Sequence, residues 1–78
     1  MQHFDEDDAI IHRRLIFGEN VRHYRQNLSL SQEQLAVAAG VDRKTINRIE
    51  QGVHSARLDN VWLIAEALGV DVRDLFVE

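Results

Sequence analysis

The stretch SQEQLAVAAGVDRKTINRIEQG, from Ser31 to Gly52, decides the fold of this chain. Ser31 followed three residues later by Gln34 forms the capping-box pattern that begins a helix. Gly40 ends that helix, because glycine adopts the positive φ of the next turn without a Cβ clash. Asp42 is placed to cap a second helix. The stretch therefore predicts two short helices joined by a glycine-centred turn.

The second helix has an apolar side and a polar side. Ile46 and Ile49 are three residues apart and are expected to turn inward. Polar and basic side chains fall on the other side: Arg43, Lys44, Asn47 and Arg48. Such side chains can reach guanine, adenine and phosphate. Two helices with a short glycine turn match a DNA-binding helix-turn-helix, although an ordinary helical hairpin with a solvated polar face has the same spacing.

Outward from this unit, the pattern predicts five helices and no strands. Residues 1–8 are expected to form an acidic, disordered tail, and residues 9–78 one helix-turn-helix domain. The first helix is expected to run from near Asp8 to about Asn27, with a possible break at Gly18. Its inward stripe is predicted to be Phe17, Val21, Tyr24 and Leu28. The fourth helix, 58–68, is predicted to turn Leu58, Val61, Ile64, Ala65 and Leu68 inward, and a short fifth helix spans 72–76.

Residues 17–76 carry further motifs that match one family. These are an arginine in the first helix (Arg25), the I-E-x-G end of the second short helix (49–52), the run A-E-A-L-G-V (65–70) and the closing D-L-F (74–76). This part of the chain resembles the lambda-repressor/Cro-like helix-turn-helix family, also called the xenobiotic-response-element family. The resemblance implies an all-α, five-helix DNA-binding domain with the helix-turn-helix in helices 2 and 3. It also implies a transcriptional regulator that is usually homodimeric.

The resemblance assigns roles to individual residues. Base contacts are expected from the residues that open the recognition helix (about 43–51) and from one turn further on: Arg43, Lys44 and Asn47. The resemblance also implies that Gln32 contacts phosphate and braces the recognition helix. Side-chain chemistry and position add Ser31, Thr45, Arg48 and His54 as expected phosphate contacts. Arg25 and Glu50 are expected to form an internal ion pair. Ser29 stands where the family commonly has glycine, and a left-handed serine there would cost about 1 kcal/mol.

Apolar side chains outside the predicted core point to an interface. Trp62 and Leu63 also lie on the fourth helix, Leu63 on the side opposite its inward face, and exposed apolar groups on a small domain suggest a contact surface. A homodimer through this helix and the C-terminal helix is therefore predicted. The alternative is that Trp62 caps the edge of the core and Leu63 is an ordinary surface leucine. Ile11, Leu15 and Ile16 either add to that interface or contact a different partner.

Composition excludes several other classes of protein. The 78 residues include no cysteine, and the four histidines have no metal-ligand spacing, so no metal or cofactor is expected. No apolar run is long enough to span a membrane, and no secretory signal is visible, so a cytoplasmic protein is expected. No phosphate-binding glycine loop or paired acid–base residues suggest an enzyme.

The formal net charge of −4 is unusual for a protein that binds double-stranded DNA. The charge is polarised, however, because Asp5–Asp8 contributes four acids in one run, whereas 13–57 contains eight basic and four acidic residues. Local field governs attraction to phosphate, so DNA binding remains the prediction. We expect a homodimeric repressor on a palindromic operator with half-sites about 34 Å apart. The alternative is an antitoxin or bridging adaptor whose main partner is a protein.

Overall fold

The computed structural model describes the backbone of residues 3–78 and the side chains of residues 8–78, and this part of the chain is all-α. Four α-helices and one 3₁₀ helix follow one another: α1 (His3–Asn27), α2 (Gln32–Ala39), α3 (Arg43–Gln51), α4 (Leu58–Leu68) and the 3₁₀ helix (Val72–Phe76). The prediction of five helices is wrong in this respect, because the fifth is a 3₁₀ helix. A segment of five residues has the length at which 3₁₀ geometry is common.

Helix α1 is longer and more regular than predicted. It begins at His3 rather than near Asp8, so from His3 onward the predicted acidic tail has a helical backbone, while Met1 and Gln2 lie outside the described residues. Acidic residues favour the positive end of the helix dipole. Although α1 has 25 residues, neither it nor any other described helix is apolar enough to cross a membrane.

The predicted break at Gly18 is wrong, because α1 continues through it without interruption. Gly18 is buried, and a Cβ there would overlap the Ile49 carbonyl oxygen and lie 3.0 Å from the Glu50 carbonyl oxygen. The glycine is thus required by close packing of α1 on the end of α3. It does not mark a change in backbone direction.

One apolar core joins all of these elements. α1 packs against α3 and the 3₁₀ helix, while α2 packs against α3 and α4. The most completely buried side chains are Val21, Leu35, Ile46, Ile64 and Leu75. The ring of Phe76 stacks on that of Phe17 with centroids 5.0 Å apart. Leu28 and Leu58, predicted to face inward, are instead exposed, because each lies at a helix end beyond the packed layer.

The turns around the helix-turn-helix follow the predicted chemistry in most places. The Gln34 amide donates to Ser31 Oγ at 3.0 Å and the Ser31 amide donates to Gln34 Oε1 at 2.8 Å, which completes the capping box. Gly40 adopts φ 75° as the C-cap of α2, and Ser29 adopts the left-handed φ of 59°. Asp42 is the N-cap of α3, but its side chain accepts no capping hydrogen bond.

Candidate nucleic-acid interface

The surface of α3 that faces away from the core is basic. Ile46 and Ile49 are buried and hold the helix on the domain. Arg43, Lys44 and Arg48 are exposed on α3. Two of the three predicted base-contacting residues, Arg43 and Lys44, are therefore exposed on the first turn of α3. The N-terminal residues of a recognition helix are those that contact base edges.

Arg43 is loosely held by a single acidic neighbour. Its Nε lies 3.9 Å from Glu33 Oε1 on α2, and both side chains are more than half exposed. An exposed pair at this distance contributes little and is screened by salt. The guanidinium can therefore exchange this contact for a base or a phosphate at little cost in stability.

Behind α3, the predicted partners Arg25 and Glu50 are joined by two hydrogen bonds. Arg25 Nε donates to Glu50 Oε2 at 2.6 Å, and Nη2 donates to Glu50 Oε1 at 3.0 Å. Arg25 Nη1 donates to the Leu30 carbonyl at 2.7 Å, and both charged side chains are largely buried. The hydrogen bonds with Glu50 raise the pKa of the Arg25 guanidinium, although burial opposes this effect. This pair ties α1 to the last turn of α3.

The ion pair extends to the third predicted base-contacting residue. Gln32 Nε2 donates to Glu50 Oε1 at 3.0 Å, and Asn47 Nδ2 donates to Gln32 Oε1 at 3.2 Å. Asn47 is accordingly half-buried, unlike its neighbours Arg43 and Lys44. Sequence reasoning expected the Arg25–Glu50 pair and bracing by Gln32 but missed that Asn47 joins them. The signal available was the spacing of Asn47 and Glu50, three residues apart on α3 and therefore on adjacent turns of one face.

The predicted phosphate-contacting residues fall into two places. Ser31 is exposed at the start of α2, where its Oγ already serves as the cap. Thr45, Arg48 and His54 line one shallow depression between α3 and the loop that follows it. Arg57 lines the same depression from the residue just before α4, and sequence reasoning assigned it no site role. The only sequence signal for a site role of Arg57 was that this basic residue directly precedes a predicted helix.

The predicted dimer residues lie on α4. Trp62 is 54% exposed and Leu63 is 40% exposed. Asp59 and Glu66 border the same patch. A large aromatic residue half-exposed among charged neighbours gives this surface an apolar centre and a polar rim, the usual arrangement in protein interfaces.

The family model that matches this chain is that of the helix-turn-helix, HTH_3, over residues 21–75. This chain belongs to the helix-turn-helix family. The match includes α2 and α3 together with the Arg25–Glu50 pair that braces them. The resemblance to the lambda-repressor/Cro-like proteins is thereby confirmed.

This helix-turn-helix protein is similar along most of its length to two control proteins. It is 44% identical over 63 residues to control protein C.BamHI of Bacillus amyloliquefaciens, which covers 80% of this chain and 78% of the relative. It is 37% identical over 71 residues to control protein C.SmaI of Serratia marcescens, with 91% and 84% covered.

A solved structure shares the same arrangement of helices. The restriction-modification controller protein C.AhdI from Aeromonas hydrophila superposes with a TM-score of 0.78 at 36% identity, covering 81% of this chain and 96% of that chain. The two proteins therefore share the same fold over most of the present chain.

Proposed function

We propose that this protein is a DNA-binding transcription regulator that inserts α3 into the major groove. The observation that carries the proposal is the exposed basic face of α3, with Arg43 and Lys44 on its first turn, on a helix fixed by the buried Ile46 and Ile49. Arginine and lysine in this position contact guanine O6 and N7. Asn47 adds a polar group one turn further along.

Contacts with the phosphate backbone complete the proposed footprint. Thr45, Arg48 and His54 face one depression at the edge of α3, and Arg57 adds a second cation there. Ser31 and Gln32 stand at the start of α2, where free backbone N–H groups favour an anion. Such contacts position the helix on the duplex and carry no sequence information directly.

We further propose that the regulator controls restriction-modification genes as a homodimeric repressor. This is supported by its similarity to control proteins C.BamHI and C.SmaI and to the controller C.AhdI. Trp62 and Leu63, exposed on α4, supply an apolar patch that a twofold dimer would bury. Two copies of α3 would then read half-sites about 34 Å apart on a palindrome.

The proposal is tested by selecting duplexes from a random pool with the wild-type protein. Their affinities are then measured by fluorescence anisotropy at two salt concentrations. We expect an enriched palindrome, and we expect the Arg43→Ala/Lys44→Ala variant to lose preference for it. Arg22→Ala/Arg73→Ala removes the same charge from exposed positions outside α3 and is the matched control. Equal losses on every sequence in both variants would contradict base reading by α3.

The proposed dimer needs its own measurement. Sedimentation of wild-type protein across a concentration series is expected to show a dimer, and Trp62→Ser is expected to weaken the association at least tenfold. Leu28→Ser, at a similarly exposed site in the turn directly after α1, is the control. Unchanged association in Trp62→Ser would move the interface away from α4.

A second candidate is an antitoxin or bridging adaptor that binds a partner protein. It is favoured by the apolar side chains of Ile10, Ile11 and Leu15, each at least 41% exposed near the start of α1. Isolation of a stoichiometric partner from the source cell, lost in an Ile11→Ser/Leu15→Ser variant, would support it. If such a partner is isolated and the random pool yields no enriched duplex, this second candidate is better supported than the DNA-binding regulator.

A further inference from the structure

An apolar pocket with a volume of about 230 Å³ lies beside α1, on the side that meets the loop after α3. Parts of every element except α2 contribute to its wall. Six apolar side chains line it: Ile10, Phe17, Ile49, Ala56, Val61 and Phe76. An apolar cavity of about 150 Å³ is large enough to bind benzene. This pocket therefore has room for one ring and a short chain attached to it.

Two arginines give one wall of the pocket a positive charge. Arg13 and Arg14 line it from α1, and no acidic residue is among the described side chains around it. Within residues 8–78, neither arginine forms an ion pair. Their neighbours three or four positions away on α1 carry no carboxylate: Ala9, Ile10, Ile11, Ile16, Phe17 and Gly18. The described part of the domain thus leaves this charge without a counter-charge.

One nitrogen of Arg14 also lacks a hydrogen-bond partner. Its Nε is shut off from solvent, yet it donates to no acceptor among the described residues. A buried N–H without an acceptor is unfavourable, and most such groups in native proteins are paired. Arg14 as a whole is only half-buried, so a small rotation of its side chain would bring Nε and one terminal nitrogen to a carboxylate in the pocket. Arginine commonly holds a carboxylate through two parallel hydrogen bonds.

The aromatic wall of the pocket suits a planar ring. Phe17 and Phe76 stack with their centroids 5.0 Å apart, and Phe76 is still 50% exposed. A ring bound against Phe76 would remove part of this apolar surface from water, which favours binding. Aromatic rings also attract one another in offset and edge-to-face arrangements. The pocket therefore offers an apolar ligand contact area in addition to the charge of Arg14.

We propose that this pocket binds a small organic acid that carries one ring and a single carboxylate. The ring lies against Phe17 and Phe76, and the carboxylate accepts hydrogen bonds from Arg14. Inorganic phosphate and the phosphates of DNA do not suit this lining, because they have no apolar part to cover the apolar side chains. The pocket lies apart from Arg43 and Lys44 on α3, and its occupation is measured without DNA. The inference is therefore independent of the proposed function.

The first part of the test compares three probes by isothermal titration calorimetry: 3-phenylpropionate, 3-phenylpropionamide and acetate. We expect 3-phenylpropionate to bind once per chain with a dissociation constant on the order of 10⁻⁴ M. The amide has the ring without the charge, and acetate has the charge without the ring, so each should bind about tenfold more weakly or less. Acetate binding as tightly as 3-phenylpropionate would reveal only attraction of any anion to the arginines and would overturn the inference.

The second part changes the pocket. Arg14→Met keeps an apolar stem but removes the guanidinium, so the affinity for 3-phenylpropionate should fall about tenfold while that for the amide stays nearly the same. Arg22→Met, at an exposed position on α1 outside the pocket, is the matched control and should bind as wild type does. Unchanged affinity in Arg14→Met would contradict the proposed role of Arg14.

A third variant tests the apolar part of the pocket. Ala56→Phe places a ring in the space that the ligand needs, so both 3-phenylpropionate and its amide should lose affinity about tenfold. Circular dichroism shows whether the variant is folded. If it is not, the Arg14→Met comparison still decides the inference, because that change lies at a half-buried position. A folded Ala56→Phe protein that binds like wild type would place the ligand elsewhere and overturn the inference.

The last part locates the bound probe by NMR spectroscopy of the backbone amides during titration. The largest changes are expected around the pocket, at Ile10, Ala56 and Val61. Largest changes at Trp62 and Leu63 would assign the binding to the exposed patch on α4 and overturn the inference. So would a failure of 3-phenylpropionate to bind, and if Arg14→Met then weakened self-association, the occupant would be a second copy of the chain. Neither result bears on duplex selection, so the proposed function would stand or fall separately.

Discussion

The two halves of α1 belong to one unbroken helix, yet they take part in the fold in different ways. In the C-terminal half, residues 17–27, Phe17, Gly18 and Val21 are buried. In the N-terminal half, no residue between 8 and 16 is buried. Helical backbone therefore extends well beyond the part of α1 that the core requires, and helix membership alone says little about a residue's contribution to stability.

The ties to other elements show the same contrast. Asn20 donates from Nδ2 to the carbonyls of Leu75 and Val77 at 3.1 and 2.8 Å, which anchors the end of the chain on the C-terminal half. In the N-terminal half, His12 reaches Glu78 across 3.2 Å, but both side chains are well exposed. Exposed ion pairs contribute little to stability. Free energy of unfolding should accordingly be sensitive to changes in one half and insensitive in the other.

The largest expected effect comes from removing the partner of Arg25. Glu50→Ala leaves a largely buried guanidinium without its carboxylate and also frees Gln32, so we expect the free energy of unfolding to fall by about 3 kcal/mol. Urea denaturation followed by circular dichroism measures this. Glu66→Ala, at an exposed position on α4, is the control and should lie within about 0.5 kcal/mol of wild type. A small loss of unfolding free energy in Glu50→Ala would mean that the Arg25–Glu50 pair contributes little to stability.

The next effect tests the close contact between α1 and α3. In Gly18→Ala the added methyl group overlaps the Ile49 carbonyl, so the helices must separate, and we expect a net loss of about 2 kcal/mol despite the better helix propensity of alanine. Thermal unfolding provides the measurement. Gly40→Ala is the comparison, because a Cβ there meets nothing within 4 Å and only the left-handed backbone is strained, at about 1 kcal/mol. Equal losses would argue against the tight contact.

A smaller effect concerns DNA rather than folding. Arg43→Ala should weaken binding to the selected duplex about tenfold and relax one base position, while the free energy of unfolding stays near that of wild type. Fluorescence anisotropy on the selected and scrambled duplexes measures the loss of affinity and the loss of base preference. Arg73→Ala carries the same charge change on the 3₁₀ helix and serves as the reference. If Arg43→Ala weakened all duplexes alike, the residue would contact phosphate only.

The smallest expected effect lies in the N-terminal half of α1. Ile11→Ser changes a side chain that is 43% exposed and contributes to no buried cluster, so the free energy of unfolding should change by less than about 0.5 kcal/mol. Phe17→Ser, one and a half turns further along the same helix, removes a buried ring that stacks on Phe76 and should cost several times more. Comparable losses in the two variants would erase the distinction between the halves.

The sequence by itself determined the features that depend on neighbouring residues. The capping box of Ser31 and Gln34, the left-handed end of α2 at Gly40 and the inward spacing of Ile46 and Ile49 follow from contacts within four residues. Local interactions of this kind depend only on which residues are neighbours along the chain. For the same reason, the boundaries of α2 and α3 and the basic face of α3 could be predicted before any packing was known.

Only the tertiary structure decided the features that join distant segments. The sequence suggested a break at Gly18, whereas packing against Ile49 made it a contact point inside one long helix. It placed Asn47 among free base-reading side chains, whereas the Gln32 amide, fifteen residues away, holds it in one orientation. Such pairings depend on how α1, α2 and α3 dock. The docking is a property of the whole core, which no local pattern specifies.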